Sequence, residues 1–337
     1  MSAQVRVSVV GLGFMGRRWA RALAEHPGAQ IATVCDVDEA TARRVGADLG
    51  CAWSTDPADT ATGSSSHGIV LCTPEHLHTD IAVQAIEAGR ALAVEKPLAH
   101  DVPSAARIRD LTAERSAPVL AAHVLRFETR YAALRAAVEG GRIGAVQAIR
   151  TERIGVVGDQ SVLRGRTSVP LHYGVHELDL ARWFCGEIEA VTAHRSGGVL
   201  KAAGYEVEDL YSVLLQFAGG AHGTSMLGWS LPDSIAGHGL SGFTVLGDRG
   251  YLHVQQDNTG LVGFGLDGPF PLDTWYTADV HGRMVGALAN QVDHFVHVVR
   301  GDAPPVCTAT DGFEAVRSSL AVEISAAEHR TVQPAQL

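Results

Sequence analysis

The first third of the chain alternates short apolar runs with stretches of helical period. Residues 5–10 read VRVSVV, 31–36 IATVCD, 67–72 HGIVLC, 91–95 ALAVE and 118–123 PVLAAH. Such runs are apolar on both sides, as strands buried on both faces must be. Between the first two lies RRWARALAEH (17–26), which puts Trp19, Ala22 and Leu23 on one face. Residues 38–50, 77–89 and 103–115 read as further helices, the first two closed by Gly50 and Gly89. This order predicts an α/β domain with a doubly wound parallel sheet and right-handed crossovers.

The pattern changes after His123. VTAHRSG (191–197), VEDLYSVLLQFAGG (207–220), AHGTSMLGW (221–229), GFTVLGDRG (242–250) and YLHVQQ (251–256) are strand-like runs parted by Gly, Asp and Pro. QFAGGAHG carries a hairpin signal. Neither a repeat nor a low-complexity linker intervenes. The expected division is 1–122 and 123–337.

Composition narrows the classes. The 337 residues suffice for two domains at ~150 residues each. Charged residues are 19% of the chain, too apolar a balance for long disorder. A formal net charge of -10 disfavours nucleic acid and anionic membrane as partners. Five cysteines (Cys35, Cys51, Cys72, Cys185 and Cys307) include no CxxC pair, which suits a reducing compartment. The start, MSAQVRVSVVG, lacks signal-peptide regions, and no run of 18 apolar residues occurs. A cytoplasmic protein is expected.

Residues 11–16 read GLGFMG, directly after a strand and before a helix. Gly11 permits the tight turn, Gly13 lets backbone approach a pyrophosphate, and Gly16 lets the helix pack closely. The helix start offers N–H groups to phosphate. Asp36 closes the second strand, 20 residues after Gly16. A carboxylate there accepts from ribose hydroxyls and repels a 2′-phosphate, favouring NAD over NADP. The rival reading makes Asp36 a helix cap, for which Asp38 is an equal candidate.

Further along come Thr73-Pro74 after the third strand, Glu95-Lys96-Pro97 after the fourth, RFETRYAALRAAVEGGRIG (126–144), and His176 with Asp179 in GVHELDLARW. FTVLGDRGYL (243–252) and DGFEAVRSSLAVEISAAE (311–328) complete the set. In this order and spacing the chain resembles the Gfo/Idh/MocA family of oxidoreductases, the glucose–fructose oxidoreductase and inositol dehydrogenase-like group. The resemblance implies a Rossmann domain followed by an α+β domain with a large, open, mostly antiparallel sheet. One sheet face would cover the nicotinamide; the other would meet a second subunit, in a homodimer or homotetramer. It implies hydride transfer between NAD and a secondary alcohol of a sugar, cyclitol or related polyol. Lys96 would bond the reacting hydroxyl and His176 would take its proton. Cofactor contacts would come from Gly11, Gly13, Phe14, Met15, Gly16, Asp36, Thr73, Pro74, His76, Glu95 and Lys96. Substrate contacts would come from Lys96, Arg126, Arg164, His172 and His176.

One position departs from the family pattern. Many members carry aspartate four residues before the catalytic histidine; this chain has His172. HxxxH is also a zinc-ligand spacing, but the Glu of HExxH is absent, and no metal is expected. Asp179 either orients His176 or serves the first turns of its helix. Arg126 either borders the active site or makes a structural ion pair. Arg164 and Arg166 either meet an anionic group or stay solvated, and His78, at the mouth where cofactor binds, could as easily be a helix-start residue. Two other functions compete: a non-catalytic sensor on the same fold, expected to lose Lys96 or His176, and a keto-sugar reductase running the same residues backwards.

Overall fold

A computed structural model describes residues 4–156, 167–232, 239–255, 261, 263–265, 268–270 and 273–337. Two compact units form, one of Met1–Glu128 with Trp275–Phe313, the other of Thr129–Thr274 with Glu314–Leu337.

In the first unit the order is β1 (Val5–Val10), α1 (Phe14–Glu25), β2 (Ala29–Cys35), α2 (Glu39–Leu49), β3 (Ala52–Ser54), α3 (Pro57–Thr62), β4 (Gly68–Leu71), α4 (His78–Glu87), β5 (Ala91–Glu95), α5 (Val102–Arg115) and β6 (Val119–Ala122). The strands form one sheet, β3-β2-β1-β4-β5-β6, parallel throughout. The order reverses between β1 and β4, where a doubly wound sheet opens a crevice for ligand. Val7, Val9, Ile69, Val70, Leu71 and Leu92 are fully buried, as uniformly apolar strands require. Six strands stand where five were expected. β3 is three residues long with Ala52 and Trp53 exposed, so no apolar run announces it.

The second unit begins with α6 (Thr129–Glu139) and β7 (Val146–Val156). A π-helical turn, Pro170–Gly174, leads into α7 (Val175–Cys185). β8 (Ile188–Ser196), α8 (Val199–Ala202), β9 (Leu210–Phe217), β10 (His222–Leu231), β11 (Leu240–Gly247) and β12 (Gly250–Gln255) follow. Their sheet runs β12-β11-β7-β10-β9-β8. It is antiparallel except where β7 pairs with β10. β9 and β10 form the expected hairpin, closed by Phe217 N–H on Ala221 O at 3.0 Å. β7 is the surprise: the longest strand of the sheet lies near its middle, in a stretch that was not read as a strand.

α9 (Ala287–Arg300) and the start of α10 (Ala309–Glu328) belong with the first unit up to Phe313. The expected division was contiguous; the compact units are not. The cause is packing. Phe295 of α9 sits edge-on to Trp19 of α1 at 6.1 Å, and Leu288, Val292 and Val296 join the same core. No helix among the described residues is long and apolar enough to cross a membrane.

Candidate active site

Within the first unit the glycine loop is shaped by the room its neighbours leave. Gly11 has φ +89°, and a Cβ there would stand 2.7 Å from the backbone of Cys72 and Thr73. A Cβ on Gly16 would lie 1.7 Å from the Gly11 carbonyl oxygen. At Gly13 nothing stands within 4 Å of the Cβ position, so the loop backbone is open to a ligand. Gly13 also caps α1 without a side chain, leaving the first N–H groups of the helix unclaimed by a capping oxygen. Asp36 orients this loop from the end of β2. One carboxylate oxygen accepts from Leu12 N–H at 2.8 Å and the other from Asp38 N–H at 3.0 Å. The cap of α2 is Asp38, which accepts from Thr41 N–H. Asp36 is therefore not spent on capping.

Phe14 is 61% exposed beside the loop, with the Arg18 guanidinium 3.5 Å from its ring centroid. Met15 turns inward, and Tyr276 O–H donates to its sulfur at 2.9 Å. After β4, Thr73 and Pro74 are half-buried and His76 is exposed. Thr73 Oγ1 is buried with no hydrogen-bond partner among the described residues. An open backbone at Gly13, an oriented Asp36 and an unsatisfied hydroxyl at Thr73 fit a dinucleotide laid along this loop.

After β5 the Glu95 carboxylate points into the core. It accepts from Trp19 Nε1 at 2.8 Å and from Lys96 N–H at 3.2 Å. Burial pushes its carboxyl above the usual carboxylate range, against the pull of Trp19 and Lys96. Lys96 itself is half-buried, and the Lys96–Pro97 peptide is cis. Arg126 is 7% exposed, gives an N–H to Val306 O at 3.0 Å and meets Asp311 at 3.3 Å.

In the second unit the two histidines sit at the entry to α7. His172 lies in the π-helical turn and His176 in the first turn of α7. The turn is pinned by Ser168, whose carbonyl accepts from His172 N–H at 2.9 Å and whose hydroxyl accepts from Leu171 N–H at 3.1 Å. Both His172 and Tyr173 stack on Trp229 of β10, each with ring centroids 5.3 Å apart. Below them, Arg153 of β7 and Glu177 of α7 form an ion pair at 2.6 Å, 8% and 1% exposed. Burial pushes the Glu177 carboxyl up, against the pull of Arg153. Burial works against the Arg153 charge too, yet Glu177 opposite holds its proton affinity above the ordinary value. Asp179 is 2% exposed on the same helix. Trp229, Tyr173, Arg153 and Glu177 were not singled out from sequence, because only the fold brings β7 and β10 beneath α7. Arg164 and Arg166 lie outside the described residues. Among the described residues, no three or more His, Cys, Asp or Glu side chains gather as a metal site.

Comparison with known proteins gives concordant matches along the chain. Residues 5–123 match the description "Oxidoreductase family, NAD-binding Rossmann fold", and 131–253 match "GFO/IDH/MocA C-terminal domain". Inositol 2-dehydrogenase of Rhizobium meliloti (strain 1021) is 26% identical over 97% of this chain and 98% of its own length. scyllo-Inositol 2-dehydrogenase (NAD(+)) of Bacillus subtilis (strain 168) is 26% identical, covering 92% and 91%. A crystal structure of scyllo-inositol dehydrogenase from Lactobacillus casei, with bound NAD(H) and scyllo-inositol, superposes with a TM-score of 0.84. It covers 98% of this chain and 99% of that one at 20% identity, a likeness of fold.

Proposed function

The chain belongs to the Gfo/Idh/MocA family of oxidoreductases, and on that premise we propose that it oxidises a secondary alcohol of a cyclitol, or of a closely related polyol. It is an oxidoreductase with an NAD-binding Rossmann domain. The observation that carries the cofactor is the glycine loop, open at Gly13 and braced by Asp36. The cyclitol class is supported by full-length similarity to curated inositol dehydrogenases.

NAD bound at this loop would supply the acceptor for the hydride of the alcohol carbon. The chain's residues do the rest. His176 takes the hydroxyl proton, since an imidazole's ordinary pKa lies near working pH. Lys96 keeps its charge and stabilises the oxygen as negative charge develops on it. His172, held flat against Trp229, meets a substrate hydroxyl where other members present a carboxylate. Its stacking fixes the ring plane, which suits directional hydrogen bonding. A sensor without catalysis is disfavoured, because Lys96 and His176 are both present. The test is NADH absorbance on mixing the protein and NAD with myo-inositol, scyllo-inositol and a panel of sugars. Turnover with a cyclitol is expected; turnover with none of the panel overturns the reading.

The second sheet supports an assembly of copies. On β9, Tyr211, Val213, Leu215 and Phe217 are buried while Leu214 is 46% exposed, and on the neighbouring β10 Met226, paired with Ser212, is 42% exposed. A second copy of this chain covers that face in our reading, giving a dimer or tetramer. A monomer mass by light scattering at micromolar concentration would exclude it.

A further inference from the structure

His78 starts α4 and is 1% exposed. Its ring lies between two backbone carbonyls from different loops. Nδ1 is 3.0 Å from Pro97 O and Nε2 is 2.8 Å from Thr73 O. Both partners only accept, whereas a neutral imidazole has a single N–H to give. The one donor is therefore shared between two acceptors, or a second proton arrives and both bonds form.

The two carbonyls are not arbitrary. Thr73 opens the loop that borders the glycine turn, and Pro97 follows Lys96. We propose that His78 is a positioning residue for the reaction: its ring ties the Thr73 carbonyl to the Pro97 carbonyl and thereby holds the Lys96 turn at a fixed height against the nicotinamide-side loop. This rests on the role of Lys96 given above. A simple helix-start histidine would need neither acceptor, and an N-cap would bond N–H groups of its own helix instead. His78 makes no side-chain cap there; its two bonds leave the helix altogether.

The surroundings set when the second proton binds. Glu75 stands on the turn just before His78, Cys72 at the end of β4, and Glu95 and Lys96 at the end of β5. Burial pulls the ring's proton affinity below the ordinary histidine value, while the carbonyls of Thr73 and Pro97 and the charge of Glu75 oppose that. At neutral pH one proton is shared between the two bonds, and burial keeps the second proton away until below the ordinary histidine range.

The experiment uses the whole protein with NAD bound and histidine ring nitrogens labelled with 15N, His78 being assigned from the His78→Gln variant. From about pH 8 downwards the ring should give an average of its two neutral forms, and double protonation should appear only below the ordinary histidine range. His78→Phe keeps ring volume and loses both bonds; its kcat with myo-inositol should fall roughly tenfold, the size expected of a displaced reacting group. Its KM for NAD should rise by less than kcat falls, because Gly13 and Asp36 are untouched and only the Thr73 carbonyl loses a bond on the cofactor side. His78→Gln keeps an N–H donor and should recover most of the lost rate. A ring held in one neutral tautomer across the whole range, or a Phe variant with wild-type kcat, overturns the proposal. If His78→Phe does not fold, the ring titration decides alone: sharing upholds the clamp and a single fixed tautomer refutes it. Wild-type protein that binds NAD yet reduces none with any cyclitol or sugar of the panel removes the polyol reading, and the titration still shows whether the ring bridges the two loops.

Discussion

In the first unit, the nucleotide loop takes its shape from absent side chains: a Cβ at Gly16 would meet the Gly11 carbonyl oxygen at 1.7 Å, while Gly13 leaves its backbone open. In the second unit, the histidines are held by bulk and charge. Trp229 carries the rings of His172 and Tyr173, and a buried Arg153–Glu177 pair joins α7 to β7. The first arrangement is local in the chain and made of backbone. The second is assembled from distant strands and made of side chains. Damage to the first should therefore appear in cofactor affinity. Damage to the second should appear in stability and turnover.

The sharpest way to break that contrast is the buried pair. Glu177→Leu strands an arginine that cannot shed its proton, and should destabilise the protein by about 3–5 kcal/mol. Arg153→Met should cost less, because the Glu177 carboxyl, already pushed up by burial, can stay protonated. The sign of its pH dependence follows. In that variant the folded state keeps a proton that the unfolded carboxyl releases above about pH 4.3, so stability should fall as pH rises. Urea midpoints at pH 5 and pH 8 check both. Equal losses in the two variants would show that the pair does not behave as a buried charge and its counter-ion.

Next is catalysis. His176→Ala should lower kcat by ~10²-fold or more, as loss of a positioned base does. NAD affinity, read by tryptophan fluorescence, should hold, since the glycine loop lies in the other unit. Full kcat in this variant would move the proton acceptor elsewhere, with Lys96 the next candidate.

Cofactor choice comes third. NAD should bind at least about tenfold more tightly than NADP, or ~1.4 kcal/mol. Asp36→Ser should narrow that gap and leave kcat at saturating cofactor nearly unchanged. Equal affinities in the wild type would remove the role assigned to Asp36. The smallest effect belongs to its neighbour. Asp38→Ala removes the cap on Thr41 N–H, so it should lower the thermal midpoint slightly and leave the NAD/NADP ratio alone. A changed ratio would mean that the two carboxylates share the nucleotide.

How much of this was legible beforehand follows the same contrast. β1 and β5 are legible to the residue, because strands buried on both faces are mostly apolar, and Gly11 and the Lys96-Pro97 turn follow them. GLGFMG and Asp36 were readable because a dinucleotide turn needs its glycines at fixed spacing along one segment. β7 was not readable. Its run, VQAIRTERIGV, carries Arg150, Glu152 and Arg153, and looks like solvated surface. Only in the sheet does Glu177 neutralise Arg153, and only there does Thr151 find Ser225, at 2.6 Å.

The sequence by itself determined the alternating first unit and the nucleotide turn, because each depends on residues near one another in the chain. Tertiary structure decided that residues 275–313 complete the first unit, since Phe295 finds its place only against Trp19. It also decided that His172 lies on a π-helical turn stacked on Trp229, and that His78 reaches two loops at once. Those contacts join segments far apart in sequence, and no local period or propensity records which distant surface a side chain will meet.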